Sequence, residues 1–131
     1  MSTKTILIAE DDEVIFMYLQ IILKSNNFNI LHARNGLEAI NLWQENKVDL
    51  ILMDIKMPVM NGLDAIREIR KTDKEIPIIV QSAYTSDENK ESAALLGSND
   101  FITKPINKSE LIEKITNAII INSKIVCRKL P

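Results

Sequence analysis

The chain has 131 residues, 46% of them hydrophobic and 26% charged, with 16 basic and 18 acidic side chains for a net charge of -2. That length suits one domain with a core large enough to need no staple, and the near-neutral balance offers no electrostatic case for binding nucleic acid or a membrane. The single cysteine, Cys127, makes no internal disulfide, which points to a reducing compartment.

Met1 to Thr5 run into an apolar segment too short for a signal-peptide core or a membrane span. The protein is therefore expected to be cytoplasmic and to begin at its own N-terminus. Ile6–Ala9 reads as a strand that stops at Glu10, Asp11 and Asp12. A helical pattern follows over Val14–Ser25, then a weaker strand over Asn29–Ala33 and a helix over Leu37–Asn46. Leu50–Met53 is a third strand, stopping at Asp54. Asn61 and Gly62 mark a turn, Gly62 supplying a permissive backbone, before a helix over Leu63–Thr72. Ile78–Val80 is the fourth strand and ends at Gln81 and Ser82. A helix over Asp87–Leu96 is capped by Gly97. Asp100–Thr103 is the fifth strand, ending at Lys104 and Pro105. The last helix covers Lys108–Ile121, and the basic stretch Asn122–Pro131 receives no assigned structure. Residues 1–122 form the domain and 123–131 a short tail.

The clearest strands are continuous apolar runs, which suits strands covered on both faces. Five strands alternating with five helices imply an α/β fold with a doubly wound parallel sheet. The flavodoxin-like order 2-1-3-4-5 fits this chain. In such sheets ligands bind beyond the C-terminal strand ends. There the sequence collects Glu10, Asp11, Asp54, Ser82 and Lys104. Three crowded carboxylates repel, which favours protonating one of them or binding a hard cation such as Mg²⁺. A carboxylate nucleophile, a metal, an ammonium and a hydroxyl together suit transfer and retention of a phosphoryl group.

The segments Ile8-Ala9-Glu10-Asp11-Asp12, Met53 through Gly62, Ser82-Ala83 and Lys104-Pro105 resemble the signature of response-regulator receiver domains, each at a strand end. The resemblance covers the chain from about Lys4 to Asn122. It implies that Asp54 is the phosphoacceptor, and that Asp11 and Glu10 are the acidic pair of a Mg²⁺ site completed by Asp54 and the Lys56 backbone carbonyl. It further implies that Ser82 is the switch hydroxyl, that Lys104 pairs with a phosphoryl oxygen, that Pro105 follows a cis bond, and that Phe101 is the aromatic that turns inward on activation. Glu10 departs from the commoner Asp. Lys56 and Tyr84 occupy positions that tune phosphoryl lifetime, and neither suits orienting a water, so slow self-dephosphorylation is expected. The donor would be a histidine kinase or histidine phosphotransfer protein, and the output a partner at the face of helix 4, strand 5 and helix 5. A homodimer is left open. The alternative is a receiver acting as a phosphorylation-independent interaction domain. With no output domain after the last helix, no direct nucleic-acid binding is expected.

Other functions fit less well. A haloacid-dehalogenase-like phosphatase needs an Asp two residues after its nucleophile, where this chain has Lys56. A flavin carrier needs a Ser, Thr and Gly-rich phosphate loop where this chain has Glu10-Asp11-Asp12. Asp12 reads equally as a helix cap or a site residue. His32 is placed far from the site with a structural role, Trp43 in the core, and Lys124, Arg128 and Lys129 in solvent. The first helix is unusually apolar. Ile15, Leu19 and Ile22 suffice for its core side, leaving Phe16 and Leu23 on a flank that either contacts a donor or second receiver, or adds core cover.

Overall fold

A computed structural model describes residues 3–83 and 87–129. Its elements are β1 (Thr5–Ala9), α1 (Glu13–Ser25), β2 (Asn29–Ala33), α2 (Gly36–Glu45), β3 (Leu50–Asp54), α3 (Gly62–Arg70), β4 (Ile78–Ser82), α4 (Asp87–Leu96), β5 (Asp100–Thr103) and α5 (Lys108–Lys129). All neighbouring strands pair in parallel, in the order β2-β1-β3-β4-β5. The expected doubly wound sheet is present.

The continuous apolar runs have a direct structural cause. Successive strand residues point to opposite faces, and both faces are covered. Leu7, Ala9, Ile51, Met53, Ile78 and Val80 pack with Ala39, Ile66, Ile69 and Ala93 from α2, α3 and α4. Ile6, Ile8, Leu50, Leu52 and Ile79 pack with Leu19, Leu23, Leu111 and Ile115 from α1 and α5. Trp43 is half-buried against the first of these layers. Each fully buried aliphatic contributes about 1.5–3 kcal/mol from lost apolar contact with water.

Side-chain caps set where the helices begin. The Asp12 carboxylate accepts from the N–H groups of Val14 and Ile15, at 2.9 and 3.1 Å. Asn35, Asn61 and Asn107 do the same for Glu38, Asp64 and Glu110. Each such cap contributes about 1 kcal/mol. Asp12 is therefore the cap of α1. Gly97, at φ 110°, closes α4 in the left-handed conformation expected of it.

Three expectations need correction. The last helix does not stop at Ile121 but runs to Lys129. No Gly or Pro interrupts residues 122–129, and Pro131 is the first breaker. Tyr84 and the side chains of Cys127, Arg128 and Lys129 lie outside the described residues. The core stripe of α1 is also rotated from the one expected. Phe16 and Leu23 are buried with Leu19 and Ile22, and the Phe16 ring stacks on His32 with centroids 3.5 Å apart and planes within 4°. Phe16 is core cover, and the exposed apolar residues of α1 are Val14, Met17, Tyr18 and Ile21.

Gly62 is the third correction. It lies in the first turn of α3 rather than in a turn before that helix, and its N–H donates to the Ile55 carbonyl at 2.8 Å. Close approach is what demands glycine: a Cβ there would sit 1.9 Å from the Asp54 carbonyl oxygen. Gly62→Ala should therefore lower stability by about 2–4 kcal/mol, because β3 and α3 must separate to admit the methyl group. Urea unfolding measures this, and a loss under about 0.5 kcal/mol would contradict the close packing.

Candidate functional site

The C-terminal ends of β1, β3, β4 and β5 lie side by side and bring the sequence-predicted residues together. Glu10 follows β1 and is buried. Asp54 ends β3, also buried, while Asp11 is exposed. One carboxylate oxygen from each of the three lies within 4.8 Å of the others. Lys104, just past β5, reaches across the end of β4 to both buried acids. Its Nζ donates to Glu10 Oε1 at 2.6 Å and to Asp54 Oδ2 at 2.9 Å. The other Asp54 oxygen, Oδ1, accepts from the Ile55 N–H at 2.8 Å, so the carboxylate is held from two sides.

Ser82 closes β4, fully buried, and its carbonyl accepts from the Lys104 N–H at 2.9 Å. The Lys104–Pro105 peptide is cis. Lys56 is exposed in the loop that leaves Asp54. Phe101 is not part of the acid cluster. It is half-buried against the α2–α4 side of the sheet, with the Lys90 ammonium of α4 5.6 Å from its ring centroid.

Burial pushes the Glu10 carboxyl up from 4.5 to about 7, and the charge of Asp54 adds to this. Hydrogen bonds from Lys104 and the Asp12 N–H pull the other way. Burial works against the Lys104 ammonium, yet its bonds to Glu10 and Asp54 prevail and raise it above its ordinary value. The site thus carries more negative charge than one ammonium neutralises. All the donor atoms are oxygens, one of the acids is exposed, and burial penalises the anionic form of another. That set fits a hard divalent cation, which takes carboxylate oxygens and keeps several waters.

The loop from Asp54 to α3 is tightly tied. Met60 N–H donates to Pro58 carbonyl at 2.7 Å around Val59, whose φ is 69°. This is a γ-turn of the rare positive-φ kind, strained for a β-branched residue. Gly36 N–H, at the start of α2, holds the Met60 carbonyl at 2.8 Å.

Sequence reading missed three residues. His32 is not remote: its Nε2 is 2.8 Å from the Glu10 carbonyl, and it fixes that main chain from the edge strand. A single His in a weak strand gave no signal of this. Arg70 is buried and donates to the Gly97 and Asp73 carbonyls and to Asn99 Oδ1, tying α3 to the start of β5. A helix-terminal arginine ordinarily reads as solvated. Gln81 is fully buried beside the site. Its signal was visible, a polar residue closing an apolar run, but the strand was ended one residue before it.

A family model for the response regulator receiver domain matches residues 6–116. The cell cycle response regulator CtrA of Brucella ovis is 35% identical over 119 residues, which is 91% of this chain and 51% of that protein. The chain spans about half the length of the curated relatives it matches. One similar solved structure is the receiver domain of the sensor histidine kinase PA1611 of Pseudomonas aeruginosa PAO1, with a magnesium ion coordinated in its active site cleft. Its TM-score is 0.84 at 29% identity, over 90% of this chain and 98% of that one. Another is the receiver domain of the response regulator Ssk1 of Saccharomyces cerevisiae, crystallised with the histidine phosphotransfer signaling protein Ypd1. Its TM-score is 0.81 at 33% identity, over 87% of each chain.

The Glu10 shift has a measurable consequence. The folded protein keeps a proton on Glu10 that the unfolded chain releases above 4.5, so this contribution to stability is complete below pH 4.5 and is lost as pH rises through about 7. In chelator-containing buffer, urea unfolding should show stability falling across that window by roughly 3 kcal/mol. Glu10→Gln, neutral at every pH, should flatten the slope. An equal slope in wild type and variant would assign it to other groups.

Proposed function

The chain belongs to the response regulator receiver domain family of two-component and phosphorelay systems, and on that premise we propose that it is a phosphorylation switch with Asp54 as acceptor. The observation that carries this reading is the Lys104 ammonium bridging Glu10 and Asp54, with Ile55 N–H on the second Asp54 oxygen. An Asp54 oxygen attacks phosphorus in line, and the bond from phosphorus to the donor's imidazole nitrogen breaks with its electron pair leaving on that nitrogen. The two fixed contacts orient the carboxylate before attack. As Asp54 becomes an acyl phosphate, Lys104 turns from its carboxylate to a phosphoryl oxygen, and the Ser82 hydroxyl donates to another. Glu10, Asp11, Asp54 and the Lys56 carbonyl are the residues that would hold Mg²⁺. When bound, the ion offsets the negative charge gathered on the phosphoryl oxygens. The donor is a histidine kinase or histidine phosphotransfer protein, and the chain acts as a switch that catalyses only its own phosphorylation and dephosphorylation.

Two surfaces follow from this reading. A groove of about 650 Å³ beside Lys104 is walled by Val14, Ile15 and Tyr18 of α1 and by Pro105 and Ile106. Tyr18 spans it, its hydroxyl donating to the Ile106 carbonyl at 3.2 Å. This groove, with exposed Met17 and Ile21 alongside, is where the helical donor docks; Phe16 has no part in it. The output lies at the face of α4, β5 and α5. Phe101 is half-buried there, Lys90 stands over its ring, and Leu95 is exposed. Its coupling to Ser82 would carry the phosphorylation state to a partner. Among the described residues no helix is long and apolar enough to cross a membrane, and the protein is proposed to work in the cytoplasm.

Incubation with phosphoramidate and Mg²⁺ should add one labile phosphoryl group to the wild type and none to Asp54→Asn, read by intact mass. Labelling that survives Asp54→Asn would overturn the assignment. Val14 is 75% exposed, so Val14→Glu leaves the fold intact. It should slow transfer from a phosphorylated histidine phosphotransfer protein about 10-fold while leaving phosphoramidate labelling unchanged. Equal slowing with both donors would remove the groove from donor docking.

A further inference from the structure

Gln81 is fully buried, and among the described residues neither its Oε1 nor its Nε2 has a hydrogen-bond partner. A carboxamide in that state has lost its hydration with nothing in return. The preceding residues of β4, Ile78 to Val80, show that the strand interior accepts plain aliphatics. The placement of Gln81 narrows what its partner is. Ile79 packs on the α1 and α5 side of the sheet while Ile78 and Val80 pack on the other, so Gln81 shares the face of Ile79. In register it lies between Asp54 on β3 and Ile102 on β5. Lys104 follows β5 two residues beyond Ile102, its N–H donates to the carbonyl of Ser82, the residue next to Gln81, and its side chain lies on the α1 side of the sheet.

Lys104 carries three N–H donors. Glu10 and Asp54 take two of them, at 2.6 and 2.9 Å. We infer that Gln81 is a positioning residue for Lys104, its Oε1 accepting an ammonium N–H when Lys104 turns from the Asp54 carboxylate to the phosphoryl group. This rests on the phosphoacceptor reading above. Acylation removes the charge on Asp54 that held the lysine, and the ammonium then needs an acceptor that keeps it over the strand ends. A neutral carboxamide provides one without a negative charge to repel the incoming phosphoryl oxygens, which a glutamate in the same place would do. The orphaned amide is thus a partner kept for the transition state and product.

The test uses the whole chain with Gln81→Met, which keeps length and volume but removes both polar atoms, and Gln81→Leu beside it. Thermal melting, Mg²⁺ titration and the rate of phosphoramidate labelling across donor concentrations are measured together. The expected result is a melting temperature equal to or above that of the wild type and an unchanged Mg²⁺ affinity. The maximal labelling rate falls about 10-fold with the half-saturating donor concentration unmoved, as for loss of one hydrogen bond to a charged group. Labelling within twofold of wild type overturns the inference and leaves Asp54 as acceptor. Joint loss of melting temperature, Mg²⁺ affinity and rate in both variants makes Gln81 structural and also overturns it. A wild type that takes up no phosphoryl group on Asp54 overturns the acceptor reading, and this inference with it.

Discussion

The Lys104 ammonium, held between a carboxylate from the end of β1 and another from the end of β3, is the interaction on which the site depends. Burying three charges is costly, and removing any one strands the others in a poorly solvated place. The lysine comes from β5, two strands away from β3, so its side chain must cross the end of β4. The contact therefore exists only while four strands keep their register. Burial, with the charge of Asp54 adding to it, gives Glu10 its raised proton affinity, and the unevenly compensated charge makes the cluster receptive to a cation. The result is an Asp54 carboxylate held in one orientation from two sides.

A second layer holds these groups from behind. Asp12 spends its side chain on capping α1 while its N–H binds Glu10 Oε2 at 3.1 Å. His32 grips the Glu10 carbonyl and is itself fixed by the stacked Phe16 ring. Gly62 lets α3 approach the Asp54 carbonyl so closely that no side chain fits. Apart from the Asp12 N–H on the Glu10 carboxylate, these contacts reach the main chain of the acids. They set position without adding charge to a site that already has too much.

The same helix α1 serves two purposes. Phe16, Leu19, Ile22 and Leu23 anchor it to the sheet, and Val14, Met17, Tyr18 and Ile21 leave an apolar surface next to Lys104. A helix apolar on nearly all sides has to be read by which stripe faces inward, and periodicity alone offers two stripes one residue apart. Leu19 lies in both. The choice fell to Phe16 because His32 on β2 presents a flat ring for it to stack against.

What the sequence by itself determined was the sequence of buried strands and amphipathic helices, and so the sheet order and the gathering of Glu10, Asp11, Asp54, Ser82 and Lys104 at one end of it. Those features follow from hydrophobic period and from short right-handed crossovers, which are local rules. Gly97 was legible for the same reason, and Asp12 as one of two readings, a helix cap or a site residue. Tertiary structure alone decided what depends on contact between segments far apart in the chain. It turned α1 about its axis, brought His32 to Glu10, buried Arg70 under Gly97, and revealed Gly62 as a point of close approach and not a flexible turn. It also left Gln81 without a partner among the described residues. Whether a polar side chain is satisfied depends on the positions of all its neighbours, and no spacing within the chain encodes that.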